Sequence, residues 1–227
     1  MKVGQMKLVV AVAVVLLFRG AAFGGTIPSS PLPVASGPGL GIASVAAVVT
    51  VQANNDDVNA VDNNIVVPFK RFDKADVIDI VFTVAPSDGG VTEYQISEFV
   101  DNNTGLPWTS YTMQLGFGTA AAGNFVLSTA GDGLDFDFPL VQTPTPTSGA
   151  FPNVATPNED QLVFSGGIQG FGAQPFSFRI DVPDLNGRQI PQFTLRQIPT
   201  AAPIPEPSTL ILASVAALAL VRRRRRG

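Results

Sequence analysis

The 227-residue chain contains no cysteine and no histidine, and it has only one tryptophan and two tyrosines. These absences exclude disulfide bonds, Cys/His zinc sites, cysteine nucleophiles and Ser-His-Asp triads. A chain that enters an oxidising compartment without disulfides must be stabilised by packing, or by bound ions. If residues 1–24 and 199–227, whose composition differs from the rest, are set aside, enough residues remain for one domain with a sizeable core.

Charged residues are also scarce, at 14% of the chain, and their distribution is uneven. Eight of the fourteen basic residues lie in the two terminal segments, and five of these form one arginine run. Between residues 25 and 205, seventeen acidic residues face six basic ones, a net charge of −11. Because such a body repels phosphate backbones, we exclude nucleic acid as a partner.

The N-terminal segment has the pattern of an export signal. Lys2 and Lys7 precede an apolar run from Leu8 to Phe18, and small residues follow around Ala22-Phe23-Gly24. This order predicts a signal peptide over residues 1–24, with an uncleaved N-terminal anchor as the alternative. Both alternatives send the body across the membrane.

The C-terminal segment, residues 199–227, combines three features in a fixed order. Two prolines flank a carboxylate in Pro205-Glu206-Pro207, which keeps the chain extended there, and Ser208-Thr209 follow. The next twelve residues, 210–221, carry no charge and predict a short transmembrane helix. The run Arg222, Arg223, Arg224, Arg225 and Arg226 then holds the end of the chain on the cytoplasmic side.

This tail resembles the PEP-CTERM sorting signal of exported bacterial proteins. The resemblance covers residues 203–227 and implies recognition by a membrane-embedded processing enzyme, an exosortase. It also implies a transient anchor in the inner membrane, followed by release to the cell surface, outer envelope or extracellular matrix. The alternatives are an ordinary C-terminal anchor and an apolar tail in which Pro-Glu-Pro occurs by chance. In the body, the segment from Asn102 to Trp108, with Tyr111 and Leu115-Gly116, resembles a stretch in the bodies of other PEP-CTERM proteins. That resemblance implies no activity, and the family of the body is not identified.

The opening segment, residues 25–60, begins rich in Pro, Gly and Ser and becomes rich in Asn and Asp. The first part is typical of a linker or irregular segment. The run from Gly41 to Val51 predicts a buried strand. The Asn/Asp stretches around 54–57 and 62–64 predict solvated loops, although their oxygens would also suit calcium.

Residues 61–198 alternate apolar and polar side chains with a period of two, interrupted by turn residues. No stretch there has the pattern of an amphipathic helix. We therefore predict an all-β domain, an antiparallel β-sandwich of jelly-roll or Ig-like type. The predicted core positions are Ile78, Ile80, Phe82, Val84, Tyr94, Ile96, Val100, Tyr111, Met113, Leu115, Phe117, Phe176, Phe178, Ile180, Val182, Phe193 and Leu195.

The stretch from Gly131 to Asp137 contains three aspartates: Asp132, Asp135 and Asp137. In a strand, Asp135 and Asp137 would share one face about 7 Å apart, a spacing at which they could bind calcium. The candidate calcium ligands are therefore Asp132, Asp135 and Asp137. The pattern favours a second interpretation, in which an Asp-Gly turn leads into an edge strand whose charges discourage aggregation.

The sequence indicates the function of the protein less directly than its export. Glu93, Glu98 and Glu159 are the only glutamates of the body, and one tryptophan, Trp108, is too few for a sugar-stacking face. We expect Trp108 to lie in the core or at a strand end. We predict a non-enzymatic, structural or adhesive surface protein. Calcium is the one candidate ligand, and we predict no other cofactor. The alternative is an exported polysaccharide-binding module or hydrolase, with extracellular polysaccharide as the partner.

Overall fold

The computed structural model describes residues 25–45, 65–66, 68–86, 91–137, 146–185 and 191–203. The predicted signal peptide, the Asn/Asp loops and the predicted transmembrane helix lie outside these ranges. Among the described residues, no helix is long and apolar enough to cross a membrane.

All regular secondary structure in the described ranges is β, as the alternating sequence predicts. The strands, in chain order, are β1 (Gly25–Thr26), β2 (Val34–Ser36), β3 (Leu40–Val45), β4 (Ile65–Val66), β5 (Pro68–Phe72), β6 (Ile78–Thr83), β7 (Ala85–Pro86), β8 (Thr92–Asn102), β9 (Trp108–Phe117), β10 (Val126–Leu127), β11 (Asp135–Phe136), β12 (Thr147–Ser148), β13 (Asn153–Asn158), β14 (Gln161–Gln169), β15 (Gly172–Val182) and β16 (Gln192–Ala201).

Two seven-stranded sheets contain most of these strands. The first sheet has the order β13-β14-β9-β16-β6-β2, with β10 beside β9, and all of its pairs are antiparallel. The second sheet has the order β11-β15-β8-β5-β3, with β12 beside β15 and β4 beside β8. Strands β1 and β7 form a separate two-stranded ribbon.

The second sheet is mixed, which corrects the expectation of purely antiparallel pairing. Strands β4 and β5 both run parallel to β8, whereas β3, β11, β12 and β15 pair antiparallel to their neighbours. Between β5 and β8 the chain contributes β6 to the first sheet and then returns. Parallel neighbouring strands require such a crossover connection. The turn residues in the sequence do not show which sheet each strand joins, so the sequence did not predict it.

One buried apolar cluster receives side chains from both sheets, an arrangement consistent with a β-sandwich. Of the predicted core positions only Phe117 is partly exposed, and the others are buried. Trp108 begins β9 and is fully buried, so both expectations for it are confirmed. Its ring lies edge-on to Phe72 and stacked on Tyr111, at centroid distances of 5.1 and 5.9 Å.

The turn between β8 and β9 contains Asn and Gly, which are among the residues that interrupt the predicted alternation. Asn102 Oδ1 accepts hydrogen bonds from the backbone N and hydroxyl of Thr104, at 3.0 and 2.8 Å. Gly105 follows with φ of 80°, a conformation that costs glycine little. The Thr104 hydroxyl also accepts a bond from Trp108 Nε1 at 3.2 Å, which connects the turn to the core.

The opening segment contributes more to the sheets than its composition suggested. β2 pairs with β6 at an edge of the first sheet, and β3 pairs with β5 at an edge of the second. The predicted strand from Gly41 to Val51 is therefore present as β3 over residues 40–45, where its side chains are half-buried or exposed rather than buried. Residues 46–51 lie outside the described ranges.

Candidate functional site

The predicted sorting motif, Pro205 to Thr209, and the run Arg222–Arg226 both lie outside the described residues. The described chain ends at Pro203, just after β16. Ala202 N donates to Pro107 O at 2.8 Å, so the β16 end is held against the chain entering β9. The tail therefore starts from the end of a strand that is hydrogen-bonded on both sides, to β6 and to β9.

Of the three predicted calcium ligands, Asp132 is engaged within its own turn. Its carboxylate accepts hydrogen bonds from the Ser128 hydroxyl at 2.9 and 2.8 Å and from the backbone N of Thr129 and Leu134 at 3.2 and 3.0 Å. These contacts match the Asp-Gly turn that the sequence favoured.

Asp135 and Asp137 lie where this turn meets a hairpin of the first sheet. Asp135 is in β11, opposite Asp181 of β15, and Asp137 is buried. Phe136 N donates to Glu159 O at 2.8 Å, which joins β11 to the β13–β14 hairpin. The hairpin brings Glu159 and Asp160 into an acidic cluster with the three aspartates, a proximity of both sheets that the sequence did not predict.

The acidic cluster raises the pKa values of Asp135 and Asp160. Burial, and then the charges of Glu159, Asp160, Asp137 and Asp132, raise the pKa of Asp135 to about 7. Burial, and then Asp132 and Glu159, raise the pKa of Asp160 to about 6, against a lowering contribution from Ser128. Like charges in a partly desolvated place disfavour ionisation.

Within the part of the chain that the structure describes, no three carboxylates are grouped so that they could hold a metal ion. Both Asp132 oxygens already accept hydrogen bonds from the turn, which reduces their availability as ligands. Calcium binding by Asp132, Asp135 and Asp137 therefore stays a prediction, tested below.

A second polar group lies in the middle of the core, and the sequence reasoning missed it. Lys70 of β5 and Glu98 of β8 belong to the second sheet, whereas Tyr111 of β9 and Gln197 of β16 belong to the first. All four are at most 1% exposed. We call these four residues the core polar network.

The contacts of the core polar network all converge on Glu98 and Gln197. Lys70 Nζ donates to Glu98 Oε2 at 2.5 Å. Gln197 Nε2 donates to Glu98 Oε1 and Oε2 at 3.0 and 2.9 Å, and the Tyr111 hydroxyl donates to Gln197 Oε1 at 2.8 Å. The network therefore hydrogen-bonds the two sheets to each other through side chains.

Burial also shifts two pKa values in the core polar network. Desolvation lowers the pKa of Lys70, although the charge and hydrogen bond of Glu98 act in the opposite direction. Desolvation, and then the charge of Glu98, raise the pKa of the Tyr111 hydroxyl well above its ordinary value. The raised pKa keeps the Tyr111 hydroxyl protonated, so it remains a hydrogen-bond donor.

The sequence did contain a signal for this network. Along each strand the polar residue occupies a position in phase with the apolar ones, where alternation would demand an apolar side chain. Glu98 falls between Ile96 and Val100, both buried, and Phe99 is turned outward with 48% exposure. The same in-phase burial holds for Lys70, which falls between Pro68 and Phe72. It also holds for Gln197, which falls between Leu195 and Pro199.

Another buried ion pair supports the first sheet. Arg196 Nε and Nη2 donate to the two oxygens of fully buried Asp79, at 2.8 and 3.0 Å. Ala120 N also donates to Asp79, and the Arg196 guanidinium lies 3.6 Å from the Phe125 ring centroid. This group holds the loop around residues 119–125 against β6 and β16.

Comparison with known proteins identifies the tail. Residues 203–226 match the model of the PEP-CTERM protein-sorting motif, as the sequence resemblance predicted. No curated protein and no solved structure matches the chain. The motif implies an exported protein that passes through the membrane and is processed by an exosortase.

Proposed function

We propose that the chain is a structural or adhesive component of the cell surface or extracellular matrix, delivered by its sorting signal. The observation that carries the proposal is the PEP-CTERM motif at residues 203–226, attached to an all-β body. The body is a non-enzymatic β-sandwich of jelly-roll or Ig-like type. Its N-terminal signal peptide starts export, and the short C-terminal helix anchors it in the inner membrane until processing.

The distribution of aromatic side chains supports a structural role over sugar binding. Trp108, Tyr94 and Tyr111 are all 0% exposed, and they are the only tryptophan and tyrosines of the chain. A sugar-binding face needs several exposed rings on which pyranose faces can stack. These three rings lie in the core, and the large exposed aromatic side chains of the described residues are Phe99 and Phe171. The structural role therefore stands ahead of the polysaccharide-binding or hydrolase alternative.

Processing is tested in a host that carries a matching exosortase. The surface fraction should contain protein that lacks Arg222–Arg226, with the cut near Pro205–Pro207. Glu206→Ala should leave the precursor in the inner membrane, because the carboxylate between the prolines is the recognised group. Thr200→Ala, an exposed position upstream of the motif, is the matched control and should be processed normally. An intact C-terminus in the wild-type surface fraction contradicts the proposal.

The role of the body is tested separately. Deleting the chain should weaken the cohesion of the extracellular polymer, whereas the purified protein should give no signal on a glycan array or a glycoside hydrolase panel. Saturable glycan binding, or turnover of a glycan, would replace the structural proposal with the alternative.

A further inference from the structure

The core polar network contains two side chains, Tyr111 and Gln197, beyond the Lys70–Glu98 ion pair. A buried Lys-Glu pair requires two side chains, yet here a carboxamide also contacts the same carboxylate. Lys70 Nζ and Gln197 Nε2 both donate to one atom, Glu98 Oε2, at 2.5 and 2.9 Å, so a single carboxylate oxygen contacts both the amine and the carboxamide. A dry core strengthens such electrostatic contacts and excludes water as a competing nucleophile.

We propose that Lys70 and Gln197 form an intramolecular isopeptide bond across the two sheets, with Glu98 as the proton-transfer residue and Tyr111 as the donor to the carbonyl oxygen. The four residues contain each group that amide exchange needs: an amine, a carboxamide, an acid-base group and an oxyanion donor. The product would be a covalent connection between β5 and β16 in a chain without cysteine.

The reaction balances without any further reagent. Glu98 accepts one proton from Lys70 Nζ, and the neutral amine attacks Gln197 Cδ. The Nζ–Cδ bond forms, and the carbonyl electron pair moves to Oε1, where the Tyr111 hydroxyl already donates. Glu98 then passes its proton to Nε2 and receives the second proton of Nζ. The Cδ–Nε2 bond breaks, and ammonia leaves.

The surroundings favour this direction. Desolvation lowers the pKa of Lys70, which increases the share of nucleophilic amine. The Tyr111 hydroxyl keeps its proton, because burial raises its pKa well above the ordinary value. The reacting groups are held by strands in the middle of both sheets, so their positions are preorganised.

Mass spectrometry of the purified full-length chain tests the bond. Its formation removes one ammonia, so denatured wild-type protein should weigh about 17 Da less than its sequence requires. Proteolysis should yield a branched peptide that joins the Lys70 and Gln197 segments. Trypsin would leave Gln197 as an N-terminal residue after Arg196, where cyclisation also releases ammonia. The branched peptide, obtained with a protease that spares this bond, is therefore the decisive observation.

Variants separate the chemistry from simple packing. Glu98→Gln keeps the shape of the side chain but cannot transfer the protons, so the branch should be absent from folded protein. Tyr111→Phe should slow its formation at least tenfold after refolding, through loss of the donor to Oε1. Lys74→Ala removes an exposed lysine four residues away and should leave the branch complete.

The proposal fails on either of two results. Wild-type protein with the full sequence mass and no branched peptide, even after prolonged incubation, shows that the network is a non-covalent contact. A branch that joins Lys70 to Glu98 with loss of water, or one that persists in folded Glu98→Gln protein, overturns the assigned roles. The mass of the wild-type protein and its branched peptide test the bond without any variant. The proposal can therefore be refuted even if a variant folds poorly.

Discussion

Replacing Asp135 with Asn should stabilise the protein at about pH 8 and leave its stability almost unchanged at about pH 4. Asp135 is half-buried in β11, and the acidic cluster raises its pKa from 3.8 to about 7. A carboxyl group with a raised pKa keeps its proton in the folded protein after the unfolded chain has lost it. The contribution of Asp135 to stability is therefore highest below the pKa of the unfolded chain. It falls as pH rises from about 4 to about 7 and is constant above that range.

The size of the effect follows from the pKa difference. A shift of this size between unfolded and folded protein corresponds to roughly 4 kcal/mol at most. Because Asp135 is partly exposed, solvent screens its repulsion, and we expect about 1–2 kcal/mol. In a domain of this length that stabilisation should raise the Tm by about 3–6 °C. Asn carries no charge, so the variant avoids the repulsion while it keeps the size of the side chain.

Thermal and denaturant unfolding of both proteins across this pH range provide the assay. The difference between wild type and Asp135→Asn is decisive, since acids outside the acidic cluster titrate equally in both. Asp132→Asn is the comparison variant. It also removes a charge that raises the pKa of Asp135, but it loses hydrogen bonds of the turn, so it should be less stable than Asp135→Asn at about pH 8. An Asp135→Asn protein that is equally or less stable than wild type at about pH 8 would refute the reasoning.

Three further predictions concern the body. Calcium at about 5 mM should raise the free energy of unfolding by about 1 kcal/mol at about pH 8 relative to chelator, for a dissociation constant near 1 mM. Asp137→Asn should reduce that gain. Identical melts in calcium and in chelator would show that these aspartates do not bind calcium. Asp79→Asn should destabilise by about 3 kcal/mol in denaturant unfolding, because it breaks a buried pair with Arg196. Asp73, which pairs with Arg71 on the exposed surface, is the control, and Asp73→Asn should destabilise far less than Asp79→Asn. Far-UV circular dichroism of the body should be dominated by strand, and a helix content above about one-fifth would contradict the fold.

The sequence predicted the secondary structure well because alternation is a local property. In a strand, neighbouring side chains point to opposite faces, so a residue such as Ile80 or Phe178 shows its burial through its neighbours alone. Turn chemistry is equally local, as Asn102 and Gly105 show between β8 and β9. The same locality explains why the sorting motif was recognised from residues 203–227.

Pairing between strands depends on contacts that are distant in the chain. The parallel pairing of β5 with β8 arises because β6 joins the opposite sheet in between, and no local pattern reports that. The opening strands β2 and β3 were missed as partners for the same reason, because their small and exposed residues acquire a role only beside β6 and β5.

The sequence by itself determined the export route, the all-β class, the turn at Asp132 and most of the buried face of each strand. Only the tertiary structure decided that Lys70, Glu98, Tyr111 and Gln197 meet, since they come from four strands and are up to 127 positions apart in the chain. It also brought Glu159 and Asp160 beside Asp135, which raises the pKa of that carboxyl. Both outcomes have one physical cause: charge and hydrogen bonding act through space, whereas alternation and turn chemistry act along the chain.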